Sequence, residues 1–288
     1  MALYSSSTGV AAGLFIHSGS EALRSLHPAV LRILWWVLFP IFVLFIPVGV
    51  LAHRRALKLP EATGARLGAF GDSKDSPVRV LVIGESPVAG VGVKCFDESL
   101  PARLAAHLCS TGGRPVTWQA LGWNGIRLAQ LLERLKRQAM PKGDWVIWVG
   151  GVNDTTALTG LATWRRTLRE LGLFVSHSGS GSPVFFEIPP MHLFAGIPQP
   201  LRFLFGLRAA LLNAELAAVC RENGWLLLAT DLAMAADFLA EDGYHPSARG
   251  CDQLGRALAL ALLKSSGASD LVWTHQRLLS PGPVIPED

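Results

Sequence analysis

Four polar residues in this chain are of types that together perform acyl-group chemistry: Ser86, Asn153, Asp242 and His245. A serine hydroxyl becomes a nucleophile when a histidine takes its proton, and a carboxylate orients that histidine. An amide or a free backbone N–H must then hold the negative oxygen formed on the attacked carbonyl. Asp242 stands three residues before His245, and Asn153 follows two glycines that let backbone approach a ligand closely. Taken singly, each has an ordinary structural reading. Ser86 in Gly84-Glu85-Ser86-Pro87 suits a turn, Asp154 suits a helix cap, and Asp242-Gly243 suits a turn before a helix begun by Pro246. Their places along the chain make them a set.

The stretch Val78–Gly92, VRVLVIGESPVAGVG, opens with an apolar run broken only by Arg79, the pattern of a buried parallel strand. Ser86 falls just past its end, where open α/β sheets bind ligands. Further strands are expected at Pro115–Leu121, Asp144–Val149, Val184–Ile188 and Trp225–Ala229. Helices are expected at Glu98–Cys109, Ile126–Gln138, Thr156–Phe174, Leu201–Asn223 and Pro246–Lys264. Strands alternating with helices imply right-handed crossovers and a parallel sheet of about five strands covered on both faces. Asn153 then follows the third strand and His245 precedes the last helix. Gly125, in the loop after the second strand, adds a candidate backbone donor.

These segments resemble the SGNH hydrolases, also called GDSL-type esterases and lipases. Gly84-Glu85-Ser86 stands where that family has a strand followed by Gly-Asp-Ser. Leu121–Leu135, LGWNGIRLAQLLERL, resembles the second block, with Gly125 at its glycine. Gly151-Val152-Asn153-Asp154 matches the family's Gly-x-Asn-Asp, and Asp242–His245 matches its Asp-x-x-His. Ile188-Pro189-Pro190-Met191 is similar to the family's loop after the fourth strand. The resemblance covers residues 78–264 and implies a flavodoxin-like, three-layer α/β/α fold. It implies Ser86 as nucleophile, His245 as base and Asp242 as its orienting carboxylate. Oxyanion donors would be the Ser86 N–H, the Gly125 N–H and the Asn153 side chain, with no metal and no cofactor. The main departure is Glu85, where the family usually has Asp. The nucleophile elbow of α/β-hydrolases, Gly-x-Ser-x-Gly, is excluded because Val88 occupies its last position.

The expected activity is hydrolysis of carboxylic acyl esters, small or lipidic, through an acyl-enzyme. The alternatives are acyl transfer or deacetylation on a sugar or lipid acceptor, and a non-catalytic binding module. Met191, Leu193, Phe194, Ile197, Phe203 and Phe205 are candidates for the wall of the acyl pocket. A second tripeptide, Gly71-Asp72-Ser73, spells the family motif itself. No apolar strand precedes it and Lys74-Asp75-Ser76 follow, so nothing fixes Ser73 for catalysis.

Half of the 288 residues are hydrophobic and 17% are charged, with a net charge of +4. Lys and Arg are scattered, without a basic run or interleaved aromatics, which argues against nucleic acid. Cys95, Cys109, Cys220 and Cys251 have no zinc-site spacing and read as reduced thiols. Residues 33–52, ILWWVLFPIFVLFIPVGVLA, run without a charge, long enough as a helix to cross ~30 Å of hydrocarbon. The expectation is a retained single-pass membrane anchor, with the basic residues leaning slightly towards a cytoplasmic catalytic domain. The chain then divides into a flexible segment (1–32), the anchor (33–52), a linker (53–77), the hydrolase domain (78–264) and a tail (265–288).

Overall fold

The computed structural model describes residues 23, 26–72, 75–229 and 237–265. Its central strand is β2 (Val78–Gly84), buried at every position except Arg79. A strand apolar on both faces needs cover on both and neighbours on each side. It lies between two parallel strands, β3 (Val116–Gly122) and β4 (Trp145–Val149). Arg79 stays at the surface by pairing with Asp144, 2.6 Å away at the entry to β4. β5 (Pro183–Phe186) and β6 (Leu226–Leu228) extend the parallel sheet. At the other edge β1 (Leu67–Phe70) runs antiparallel to β3, giving the order β1-β3-β2-β4-β5-β6.

Alternation along the strands sorts the helices into two layers. Val80, Val82, Ile147 and Val149 pack with α2 (Leu100–Gly112) and α7 (Ala248–Ser265). Leu81, Ile83, Val146 and Trp148 pack with α3 (Leu128–Lys136), α5 (Leu161–His177) and α6 (Leu201–Asn223). This is the expected three-layer arrangement around five parallel strands, with one addition. β1 arises inside residues 53–77, which read as a linker, because four half-exposed residues carry little strand signal. Arg66 holds it in place by donating to the Gly122 carbonyl at 2.8 Å and pairing with Glu61 at 2.5 Å.

One expected helix is divided. Thr156–Phe174 reads as continuous, yet a short α4 (Val152–Thr156) is separated from α5. Leu158 takes φ +53°, and Thr159 folds back so that its N–H and hydroxyl both reach Asp154, at 2.9 and 2.7 Å. Those two bonds replace the helical continuation.

The apolar N-terminal run forms α1 (Pro28–Arg55), 28 residues long with Pro40 and Pro47 inside it. It is long and apolar enough to cross a membrane; α6 also meets that test but is mostly buried in the domain. One stripe of α1 docks along α6. Leu31, Trp35 and Phe42 are buried there, with Phe42 edge-on to Phe205 at 5.5 Å. The Arg208 guanidinium lies 5.2 Å over the Trp35 ring, and Arg32 pairs with the buried Glu215. The opposite face, with Ile33, Trp36, Val37 and Leu44, is 62–73% exposed. Ser73, most of the expected N-terminal segment and nearly all of the tail lie outside the described residues.

Candidate active site

Ser86 is set by what precedes it. Gly84 ends β2 where a side chain would meet the Val149 carbonyl, its Cβ only 1.9 Å away. The closeness lets the Glu85 N–H donate to that carbonyl at 3.0 Å, bending the chain out of the sheet. The next turn closes through Val88 and Ala89 N–H to the Glu85 carbonyl and Val91 N–H to that of Ser86. Gly92, at φ +103°, completes the segment; a Cβ there would lie 2.3 Å from the Pro246 carbonyl. The serine turn therefore packs directly on the loop that carries His245.

That loop is built around the Asp242 carboxylate. One oxygen accepts from the Tyr244 and His245 N–H groups at 2.9 and 3.0 Å, leaving the other to His245 Nδ1 at 2.6 Å. Burial works against the charge, but these donors outweigh it and hold the carboxyl below its ordinary range. An ionised carboxylate only accepts, so Nδ1 carries the ring proton and Nε2 is left as acceptor. His245 Nε2 lies 3.0 Å from Ser86 Oγ. Tyr244 fixes the ring from the side, its own ring 5.1 Å from the imidazole and 5.3 Å from Phe194.

The Asn153 loop is tied to the same centre. The Asn153 side-chain amide donates to the Ile126 carbonyl at 3.0 Å, joining its loop to Gly125-Ile126 and leaving a second amide N–H. Among the described residues, the backbone N–H groups of Ser86 and Gly125 donate to no protein group. Glu85 holds the Asn153 loop from below, accepting from Gly151 N–H at 2.6 Å and Asn153 N–H at 3.2 Å. Burial pushes its carboxyl up to about 8, against the pull of those donors and aided by nearby Asp154. Asp154 is itself raised by burial; its carboxylate accepts from Leu128 N–H at 2.8 Å, opening α3.

Beside Ser86 runs a mostly apolar cleft of about 70 Å³, walled by Val149, Phe186, Pro190, Phe194, Phe238 and Leu254. That is room for a few water molecules or a short acyl chain. Of the six expected wall residues, Phe194 alone lines it. Met191 and Ile197 belong to the core, Phe205 packs on α1, Phe203 is exposed, and Leu193 lies outside the cleft. Glu85, at the Asp position of the family's Gly-Asp-Ser, was marked by the sequence, whereas Tyr244 and Phe238 carry no pattern of their own there. Only the position of Tyr244 between Asp242 and His245 hinted at its role.

A three-layer sandwich with these residues at the carboxyl edge of its parallel strands is the SGNH hydrolase fold. The chain belongs to the GDSL-like lipase/acylhydrolase family, whose model matches residues 82–253. No curated protein matches it in sequence. Among solved structures it is similar to the lipase/acylhydrolase from Enterococcus faecalis, with a TM-score of 0.53 at 20% identity. That alignment covers 65% of this chain and 96% of the other. It is also similar to the psychrotrophic esterase EstA from Pseudoalteromonas, with a TM-score of 0.51 at 15% identity, covering 65% and 97%.

Proposed function

We propose that the chain is a membrane-attached serine hydrolase that cleaves carboxylic acyl esters through an acyl-enzyme. The observation that carries this reading is the hydrogen-bonded run from Ser86 Oγ to His245 at 3.0 Å and on to Asp242 at 2.6 Å. In this reading Ser86 Oγ attacks the ester carbonyl while its proton passes to His245 Nε2, and Asp242 stabilises the imidazolium. The negative oxygen is received by the N–H groups of Ser86 and Gly125 and by the second amide N–H of Asn153. Collapse expels the alcohol, which takes the proton from His245. Water activated by the same imidazole then frees the acid and restores Ser86. A fluorophosphonate should label Ser86, located by mass spectrometry. A folded sample that hydrolyses esters without an adduct there would falsify this assignment.

Membrane attachment is supported by α1, whose outward face is apolar where a soluble protein would carry charge. The uncleaved chain should stay in the membrane fraction through a high-salt wash and leave it with detergent. Its recovery in the soluble fraction would remove the attachment.

A further inference from the structure

A second concavity, of about 550 Å³, reaches the candidate centre at Gly125 and runs from there along one face of α3. The apolar cleft is built on the ends of β4 and β5, and this basin on the loop after β3 and on α3. β2, which carries Ser86, lies between β3 and β4. With a short acyl chain filling the small cleft, the alcohol is the arm left to extend past Gly125 into the basin. The two sides share backbone with the reaction centre. Trp123 donates to the Gly84 carbonyl at 3.2 Å, and Ile126 is the residue held by Asn153.

The basin's chemistry is unlike the cleft's. Trp123 forms an aromatic wall, with the Arg134 guanidinium 5.3 Å over its ring. Arg137, Gln130 and Asn124 stand around the rim. One carboxylate, Glu133, also lines it, but Glu133 pairs with Lys136 at 3.3 Å. Among the described residues, neither Arg134 nor Arg137 has a carboxylate partner. Two unneutralised guanidinium forks beside an indole suit a planar or tetrahedral oxyanion.

We infer that this basin receives an anionic group, phosphate or carboxylate, on the alcohol side of the ester. The inference rests on the ester-hydrolase reading above and names the substrate class that would use it.

The test compares two butyrate esters on the full chain in detergent: butyryl glycerol and butyryl glycerol 3-phosphate. The parent should favour the phosphate-bearing ester by about tenfold in kcat/KM, the scale of one charge-assisted contact. Arg134→Ala with Arg137→Ala should remove most of that preference, chiefly through KM, while Arg134→Lys with Arg137→Lys keeps some of it. Inorganic phosphate should inhibit the parent more than the double alanine variant. Equal kcat/KM for the two esters in the parent, or a preference that survives the double alanine change, overturns the proposal. If neither ester is hydrolysed and Ser86 takes no fluorophosphonate, the hydrolase reading fails and this proposal fails with it.

Discussion

Ser86 and His245 stand 159 residues apart in the chain and 3.0 Å apart in space. The contact depends on a strand end and a helix entry meeting at one edge of the sheet, with Gly92 packed under Pro246. Ser86→Ala should lower kcat by on the order of 10⁴-fold or more, since the remaining groups have no nucleophile to serve. Ser73→Ala should leave ester hydrolysis at the parent rate, although Ser73 stands in the sequence Gly-Asp-Ser. A variant pair behaving the other way round would move the nucleophile.

Asn153 makes one side-chain bond in the structure and keeps one amide N–H to spare, and the two separate experimentally. Its bond to the Ile126 carbonyl is structural; its second N–H is the candidate oxyanion donor. Asn153→Ala should cut kcat by ~10²–10³ with little change in KM. A loss of thermal stability without that fall in kcat would leave only the structural job.

Glu85 predicts a pH-dependent stability. In the unfolded chain its carboxyl releases a proton near 4.5, whereas the folded protein keeps it to about 8. The folded state holds the extra proton between those values, so this group's contribution to stability is full below pH 4.5 and is lost as pH rises through 8. Glu85→Gln presents an amide N–H₂ to one of two backbone donors, and should cost about 1–3 kcal/mol at pH 6. The gap in Tm between parent and variant should narrow by pH 9. A gap that stays constant or widens would show that Glu85 is not held protonated.

Phe194 lines the cleft beside Ser86 and braces Tyr244. Phe194→Ala should raise the ratio of kcat/KM for hexanoate over acetate esters by about tenfold, since each methylene accommodated is worth roughly 1–3 kcal/mol. Identical ratios in the two proteins would take Phe194 out of the acyl-binding wall.

The parallel strands and their helices were legible because their periods differ and because glycine and proline mark their ends. The candidate centre was legible because its residues follow strand ends in motifs of fixed spacing. What escaped was everything decided by distant contact. β1 is a strand only because β3 offers an unpaired edge, and α5 begins late only because Thr159 turns back to Asp154. The wall residues show the same limit. Met191 and Phe194 lie three residues apart, equally apolar and both buried, yet only Phe194 also lines the cleft. Nor does any local pattern show Arg134 stacked on Trp123, because their juxtaposition needs α3 folded back beside the end of β3.

The docking of α1 on α6 changes what attachment to a bilayer would mean. From Arg32 to Gly49 the helix follows the domain for roughly 26 Å, close to the depth of the hydrocarbon core. The segment leading on to β1 has little slack, because Glu61, Thr63 and Arg66 are all bonded to the domain. A body fastened along its anchor in this way cannot swing out on a tether into the surrounding water. It would ride against the lipid surface with the mouth of its cleft at a set height. Its search for substrate would then be lateral, confined to molecules that reach that layer.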